Sequence, residues 1–321
     1  MINEELQVRF AQQAEMLANR VKKRFKHLYK RFARQQIDVF RLYDGDIPEI
    51  RAAVDWYAGH LVIAEYMRRQ SVPEWLPLMG AAVAGALSVP PDKVHLKTRW
   101  AGKQEGKRYE RLARTDQRMA VKEGALRFYV NLNDYVDTGL FADHRHTRQM
   151  VREMAADKDF LNLYCYTGSF SCYAARGGAR TTVSVDRSQT AIDWARANLT
   201  LNGIPEDRNT LVQSGTLTYL TKAHQAGQTF DLAVVDPPSY STDRAGNRDF
   251  DITRDHTRLL ARVIRVMRPG AVLYFSTNHQ DFVFRAEGFY ITDAEEITTQ
   301  TIPEDYRSKR KTIHRCWKMI V

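Results

Sequence analysis

Two stretches of this chain hold residue types at spacings that could do chemistry. The first is Asp236-Pro237-Pro238-Ser239-Tyr240, directly after the apolar run Leu232-Ala233-Val234-Val235. Two prolines restrict the backbone and remove two N–H donors, so the Asp236 carboxylate and the Pro237 carbonyl can face a reacting group in a set geometry. Tyr240 adds a ring on which a flat base can stack. Asp236, Pro237, Pro238 and Tyr240 therefore read as a catalytic corner, with a bare strand-ending turn as the competing reading. The second stretch is Tyr166-Thr167-Gly168-Ser169, between an apolar run and a helical pattern. A glycine there lets a ligand approach the backbone, and the following helix start offers free N–H groups. The G-x-G-x-x-G fingerprint is missing, which argues for a ligand without a pyrophosphate. Eighteen residues beyond Gly168, Asp186 closes a β-branched run. Its carboxylate could accept hydrogen bonds from both hydroxyls of a ribose; Asp186-Arg187-Ser188 would equally suit a helix N-cap.

The elements that must position these residues follow from periodicity. From Phe128 onward, short β-branched runs alternate with helical patterns. Strands are expected at Phe160 to Tyr164, Thr181 to Val185, Asn209 to Gln213, Leu232 to Val235 and Val272 to Ser276, and helices at Ser169 to Arg176, Gln189 to Asn202, Leu217 to Ala226 and Thr253 to Met267. Such alternation predicts a doubly wound α/β fold with ligands at the carboxyl ends of its parallel strands. The glycine turn, Asp186 and the diproline corner all fall at such ends. Upstream, Leu6, Phe10, Ala14, Leu17, Val21, Phe25, Leu28 and Phe32 recur every three or four residues, the mark of one amphipathic helix. Between it and the α/β part, Val39 to Tyr43, His60 to Tyr66 and Val94 to Thr98 read as strands and Leu76 to Leu87 as a helix, which makes a small α+β domain. The expected organisation is a basic N-terminal helix over 1–37, an α+β accessory domain over 38–125 and the α/β domain over 126–321.

Charge is distributed unevenly over the 321 residues and their net +10. Residues 1–34 carry +6 and residues 93–127 carry +7, against −4 for residues 35–92 and +1 for the remainder. Basic excess outside a nearly neutral α/β part fits an accessory region that grips a polyanion, although a solvated helix face would also carry such charge. Lys22, Lys23, Arg24, Lys26, Lys97, Arg99, Lys103, Lys107 and Arg108 are the candidate phosphate contacts. The last three lie in a glycine-punctuated loop, Trp100 to Tyr109, that could instead be a hairpin tip without a partner. The long helix could also pair with a copy of itself. Three widely spaced cysteines support neither a disulfide framework nor a zinc site, and the residues suggest no metal. No apolar stretch is long enough for a membrane helix, and the polar start is unlike a signal peptide, so a reducing, cytoplasmic setting is expected.

Over nearly its whole length the sequence resembles the 23S ribosomal RNA guanine-N7 methyltransferases that often form the C-terminal half of a bifunctional enzyme. The likeness is carried by Phe40-Arg41-Leu42-Tyr43-Asp44-Gly45-Asp46, Asp137-Thr138-Gly139-Leu140-Phe141-Ala142-Asp143-His144-Arg145, Tyr166-Thr167-Gly168-Ser169, Asp236-Pro237-Pro238 and Ile313-His314-Arg315-Cys316-Trp317. The resemblance implies a class I, Rossmann-like methyltransferase domain with a seven-stranded, mostly parallel sheet. It implies S-adenosylmethionine as cofactor, with Asn162, Tyr166, Thr167, Gly168, Ser169, Asp186, Arg187, Ser214, Gly215 and Asp236 around it and Thr138, Asp143 and Arg145 alongside. It implies 23S ribosomal RNA or a large-subunit precursor as partner, and a guanine-N2 methyltransferase acting beside it. Two departures stand out. Similar enzymes usually place an acid near the cofactor's adenine where this chain has Ser214-Gly215. Related enzymes that methylate carbon 5 of cytosine need a cysteine where this chain reads Phe275-Ser276-Thr277-Asn278-His279, so covalent attack on a pyrimidine is not expected. Guanine N7 carries an unprotonated lone pair and would need no general base. Methylation of an exocyclic amine of guanine or adenine is the alternative reaction, and a non-catalytic RNA-binding ribosome-assembly factor the alternative class.

Overall fold

The computed structural model describes residues 4–99, 111–242, 248–308 and 311–321. Lys103, Lys107 and Arg108, with the loop that carries them, lie outside the described residues. The chain divides into two compact units. One comprises 1–125, 130–138 and 304–310, the other 126–129, 139–303 and 311–321. Among the described residues, no helix is long and apolar enough to cross a membrane.

In the first unit, helix α1 (Glu4–Arg34) is followed by strands β1 (Val39–Asp44), β2 (Ala52–Tyr57) and β3 (His60–Tyr66), helix α2 (Trp75–Leu87), and strands β4 (Val94–Arg99) and β5 (Met119–Glu123). The sheet runs β1-β2-β3-β4, antiparallel except for the parallel β3–β4 pair. Phe10, Ala14, Leu17, Val21, Leu28 and Phe32 of α1 bury against Phe40, Leu42, Val54, Trp56, Leu61 and Ile63 of this sheet and Trp75, Met79 and Val83 of α2. The helix expected as a separate segment thus shares one core with the α+β part, because its apolar stripe has nowhere else to be covered. β2 escapes the sequence pattern because Asp55 interrupts it. That carboxylate is buried and satisfied: Arg41 donates Nε to Asp55 Oδ1 at 2.8 Å and Nη2 to Oδ2 at 2.9 Å, and Nη1 to Asp44 at 2.9 Å. A buried charge without such pairing would cost several kcal/mol on the order of 3–5.

The second unit holds β6 (Leu126–Val130, its last residue in the first unit), α3 (Arg145–Met154), β7 (Asp159–Leu163), α4 (Ser169–Arg176), β8 (Thr181–Asp186), α5 (Gln189–Leu201), β9 (Asn209–Gln213), α6 (Thr216–Gln225), β10 (Phe230–Val235), β11 (Tyr240–Thr242), β12 (Arg248–Asp251), α7 (Ile252–Ile264), β13 (Met267–Thr277), β14 (Asp293–Glu296), α8 (Thr298–Thr301) and β15 (Arg315–Ile320). Its sheet has seven strands in the order β14-β15-β13-β10-β7-β8-β9. Five neighbours run parallel, and β15 is antiparallel to both β13 and β14. Strand alternation sorts the side chains. Leu161, Leu163, Ala233, Val235, Leu273, Phe275 and Trp317 pack with α6 and α7, while Phe160, Leu232, Val234, Tyr274 and Cys316 pack with α3 and α4. Both faces are covered, which is why these strands read as apolar runs.

Within α7, His256 is fully buried. Its Nδ1–H donates to Ile252 O at 2.9 Å and its Nε2 accepts from Arg285 N–H at 3.2 Å, an arrangement that needs the neutral ring. Burial, foremost, holds its pKa below the ordinary value. Above about pH 6.5 these contacts are fully available; as pH falls through that value the unfolded chain takes up the proton first, and stability drops by up to about 1.4 kcal/mol per pH unit. Urea unfolding should therefore show the stability advantage of the parent over His256→Gln shrinking between about pH 7.5 and about pH 5. An advantage that stays constant would show that His256 does not titrate as described.

Candidate active site

The glycine turn, Asp186, Ser214-Gly215 and the diproline corner gather at the carboxyl ends of β7, β8, β9 and β10, the end where a doubly wound sheet binds ligands. β7 leaves the sheet through an unusual turn: Tyr164, Tyr166 and Gly168 all have positive φ, at 57°, 49° and 73°. Two tyrosines held there cost on the order of 1–3 kcal/mol each, a strain typical of ligand clamps. Gly168 is also required by packing, since a Cβ there would lie 2.9 Å from Ala195 Cβ. The turn is tied down on two sides. Thr167 donates its hydroxyl to Gly139 O at 2.6 Å, and Asn198 donates to Thr167 O at 2.8 Å.

Asp186 receives the turn. Its Oδ2 accepts from Tyr166 N–H at 3.0 Å and its Oδ1 from Ser188 N–H at 2.8 Å. Burial pushes the carboxyl up, and the N–H groups of Ser188 and Tyr166 pull it back. Each oxygen keeps acceptor capacity, because a carboxylate has about four lone-pair sites. A half-buried acid with spare lone pairs at the end of the second parallel strand fits the two vicinal hydroxyls of a nucleoside, the part of S-adenosylmethionine expected here. The N-cap role falls instead to Ser188, whose hydroxyl accepts from Ala191 N–H. Arg187 is exposed beside it. Ser214 N–H donates to Asp186 O at 2.9 Å, which brings Ser214 and Gly215 to the same edge. Ser169, half-buried, opens α4 directly after the turn.

The diproline corner is stitched to the end of β13. Ser276 donates to Asp236 Oδ1 at 2.6 Å, Ser239 to Asn278 Oδ1 at 2.5 Å, and the Tyr240 hydroxyl shares a hydrogen bond with His279 Nε2 at 3.0 Å. The other oxygen of Asp236 lies 3.7 Å from His144 Nε2, too far for a hydrogen bond. His144 stacks on His314, with ring centroids 4.1 Å apart at 11°. Burial, then His314, lowers the His144 pKa, so the ring is neutral near pH 7. Asp143, His144 and His314 place possible metal-ligand atoms within 4.8 Å of one another. The two nitrogens of His314 are already engaged, however, Nδ1 with Asp143 at 2.9 Å and Nε2 with Thr301 at 3.0 Å. Parallel stacked imidazoles also point their lone pairs along parallel planes, which one ion cannot share well. These hydrogen bonds hold His314, while His144 is fixed by stacking on it and keeps a buried Nδ1 with no hydrogen-bond partner among the described residues.

Several expected residues stand elsewhere. Asn162 is buried inside the sheet and donates to Ser171 at 2.9 Å, which in turn is bonded to Ser184 at 2.6 Å; it fastens α4 to the strands instead of reaching a cofactor. Thr167 acts through its backbone position, since its hydroxyl is spent on Gly139. Thr138 belongs to the first unit, where its hydroxyl is paired with that of Tyr57 at 2.8 Å. Arg145 is buried at the start of α3. Of the basic residues expected at RNA, Lys22, Lys23 and Lys26 are exposed on α1. Lys97 is not available to a phosphate: it is 4% exposed and donates to Tyr135 O and Val136 O at 2.5 and 3.3 Å, with burial lowering its pKa to about 8. Arg24 is half-buried and donates to Glu304 O at 2.9 Å, and Arg99 pairs with Asp137 at 3.7 Å. Reading the sequence missed Ser276, Asn278, His279, His144 and His314. The stretches holding them were visible as motifs, but no local signal tied them to the diproline corner.

The model of the S-adenosylmethionine-dependent methyltransferase family matches residues 53–287, which span the glycine turn, Asp186 and the diproline corner. The chain belongs to this family. S-Adenosylmethionine is its cofactor, and Asp186 with the turn from Tyr164 to Gly168 are the methyltransferase elements suited to hold it. Among relatives, the methyltransferase is 40% identical over 311 residues to ribosomal RNA large subunit methyltransferase K of Neisseria meningitidis serogroup B, covering 94% of this chain and 86% of that one. It is 43% identical over 317 residues to ribosomal RNA large subunit methyltransferase K/L of Pseudomonas putida, of which it spans 42%. In structure it is similar to SMU.776 complexed with SAH, with a TM-score of 0.76, 22% identity and coverage of 97% of this chain and 82% of that one. The SAM-dependent methyltransferase from Agrobacterium tumefaciens gives a TM-score of 0.62 at 15% identity, with 88% and 90% covered. At these identities the structural likeness shows the fold.

Proposed function

We propose that this methyltransferase acts in the cytoplasm on large-subunit ribosomal RNA, at N7 of a guanosine in the 23S species. The observation that carries this reading is the rigid corner Asp236 to Tyr240, held by three hydrogen bonds to Ser276, Asn278 and His279 at the same end of the sheet as Asp186, two strands away. The relatives named for large-subunit ribosomal RNA support the substrate. The cofactor supplies an electrophilic methyl carbon on a sulfonium. The chain's own task is then to orient a lone-pair nucleophile and to exclude water, and orientation can be worth about 7–11 kcal/mol. Asp236 places negative charge where the base becomes cationic, and Tyr240 offers its face to that base. Cysteine chemistry is disfavoured. Cys165, Cys172 and Cys316 are buried, and burial raises each thiol, Cys172 to about 12.

In duplex RNA the N7 edge faces a deep groove that side chains cannot enter, so the target must be unpaired or flipped out. Lys22, Lys23 and Lys26 are the exposed candidates on α1 for holding flanking phosphates. Nucleoside mass spectrometry of ribosomal RNA from a deletion strain, before and after complementation, tests the reading. Loss and recovery of one 7-methylguanosine supports it, whereas loss of an N2- or N6-methylated base moves the reaction to an exocyclic amine. No change at all overturns the ribosomal substrate.

Gly215 offers a milder test. It caps α6 with φ −64° and ψ 135°, and a Cβ there would meet only Thr218 Oγ1 at 3.7 Å. Gly215→Asp is therefore expected to fold, to gain a few tenths of a kcal/mol from the cap, and to bind S-adenosylmethionine several-fold more tightly if the residue borders the adenine amine. Calorimetry showing weaker binding would place the adenine elsewhere.

A further inference from the structure

We infer that the outer face of α7, in the catalytic unit itself, is a track for the phosphates of a single RNA strand; this rests on the proposal that the substrate is RNA. Arg254, Arg258, Arg262 and Arg265 follow at intervals of four, four and three residues. At 100° per residue they fall within one sector of about 80°, and at ~1.5 Å per residue they span about 16 Å. That is the length of roughly five stacked nucleotides at ~3.4 Å each. Arg254, Arg258 and Arg265 are exposed and Arg262 is half-exposed.

What distinguishes this row is that most of its charge is left over in one continuous line. Elsewhere on the unit, several surface arginines are neutralised by acids, Arg180 and Arg268 by Asp159 and Asp231, Arg196 by Asp193 and Glu206, Arg315 by Glu296, while exposed Arg127, Arg176 and Arg285 donate singly to backbone carbonyls. On α7, Asp255 takes Arg254, and Arg262 spends one nitrogen on the Thr221 hydroxyl at 2.9 Å. Among the described residues, no ion pair or hydrogen bond engages the side chains of Arg258 or Arg265. Four guanidinium groups against two carboxylates, Asp251 and Asp255, both at the Arg254 end, leave a strip of positive potential, and planar guanidinium suits phosphate oxygens better than ammonium does.

The chemistry beside the row favours nucleic acid over an acidic protein. Arg254 and Arg258 border a cavity of about 270 Å³ whose other walls are Leu217, Phe250, Asp255 and Leu259. An aromatic and aliphatic floor beside guanidinium groups is the composition on which unstacked bases rest while their phosphates are held. Phe250 stands opposite Ser241 in the β11–β12 ribbon, and β11 begins at Tyr240. A strand following the α7 row would therefore run toward the diproline corner.

The test is binding of transcribed large-subunit ribosomal RNA over a range of salt concentrations, by the full chain and by an Arg258→Gln/Arg262→Gln/Arg265→Gln variant. Losing three phosphate contacts should lower the slope of log K against log salt by about 2, at ~0.7 per single-strand contact. Affinity should fall on the order of 10- to 100-fold near physiological salt, with S-adenosylmethionine binding unchanged. The corresponding triple Arg→Lys variant should keep the parent slope, which separates charge from folding. If the parent binds this RNA and the Gln variant matches its affinity and slope, the track is wrong and the row is left for an acidic protein. If the parent does not bind the RNA at all, the ribosomal substrate itself falls.

Discussion

Replacing Tyr240 by alanine is expected to lower methyl transfer by about three orders of magnitude or more while leaving S-adenosylmethionine affinity within about twofold of the parent. Two losses combine. Base–aromatic stacking is worth about 1–3 kcal/mol per base, which is roughly 5- to 150-fold. A base released from its ring also loses alignment, and a misplacement of ~1 Å can cost about another 100-fold. The cofactor elements should be spared, because the Tyr240 hydroxyl is tied to His279 Nε2, whereas Asp186 is engaged by Tyr166 N–H and Ser188 N–H. Tyr240→Phe separates the ring from the hydroxyl. It keeps the stacking face, loses the tie to His279 Nε2, and should retain most activity if the ring is what matters. Single-turnover methylation with calorimetry in parallel reads both quantities, and unchanged turnover in Tyr240→Ala would remove Tyr240 from the reaction.

The second large effect is expected at Asp186. Substitution by alanine should weaken S-adenosylmethionine by on the order of 100-fold or more, since hydrogen bonds to a charged group are worth about 1.5–3 kcal/mol each and a ribose offers two hydroxyls. The same carboxylate holds Tyr166 N–H and Ser188 N–H, so the strained turn should loosen as well. Asp186→Asn keeps the shape but turns one of the two oxygens into a donor that faces Tyr166 N–H or Ser188 N–H, so it is expected to lose roughly tenfold in affinity and to lower thermal stability less than alanine does. A pair of variants that both bind the cofactor like the parent would show that the ribose sits elsewhere. If both variants lower thermal stability while cofactor affinity stays that of the parent, Asp186 is a brace for the turn and not a ligand.

How far the sequence reaches can be judged residue by residue. The strands carrying the site were legible because both faces of the sheet are covered, which makes each one an apolar run, and their carboxyl ends could then be counted to Gly168, Asp186 and Asp236. Elements without that signature were not legible. β14 is Asp293-Ala294-Glu295-Glu296, exposed throughout as a charged sheet edge, and such an edge has no apolar alternation to betray it. Helix α3 hides because its core-facing side includes Arg148, wholly buried, donating to Phe141 O at 2.9 Å and lying over the rings of Phe170 and Tyr173. A buried arginine looks like a surface residue until its partners are known.

The amino-acid order alone determined that two motifs would meet at one end of a parallel sheet, because strand period and glycine placement are local properties of the chain. Tertiary structure decided what the side chains do there. Asn162 and Thr167 lie within the motif yet turn into the packing, while Ser276, Asn278, His279, His144 and His314, up to 171 residues from their partners, close around Asp143 and the diproline corner. Lys97 shows the same division from the other side: its type suits a phosphate, but the face of β4 on which it falls buries it against two carbonyls. A hydrogen bond needs two groups within about 3 Å, and over such separations only the folded chain sets that distance.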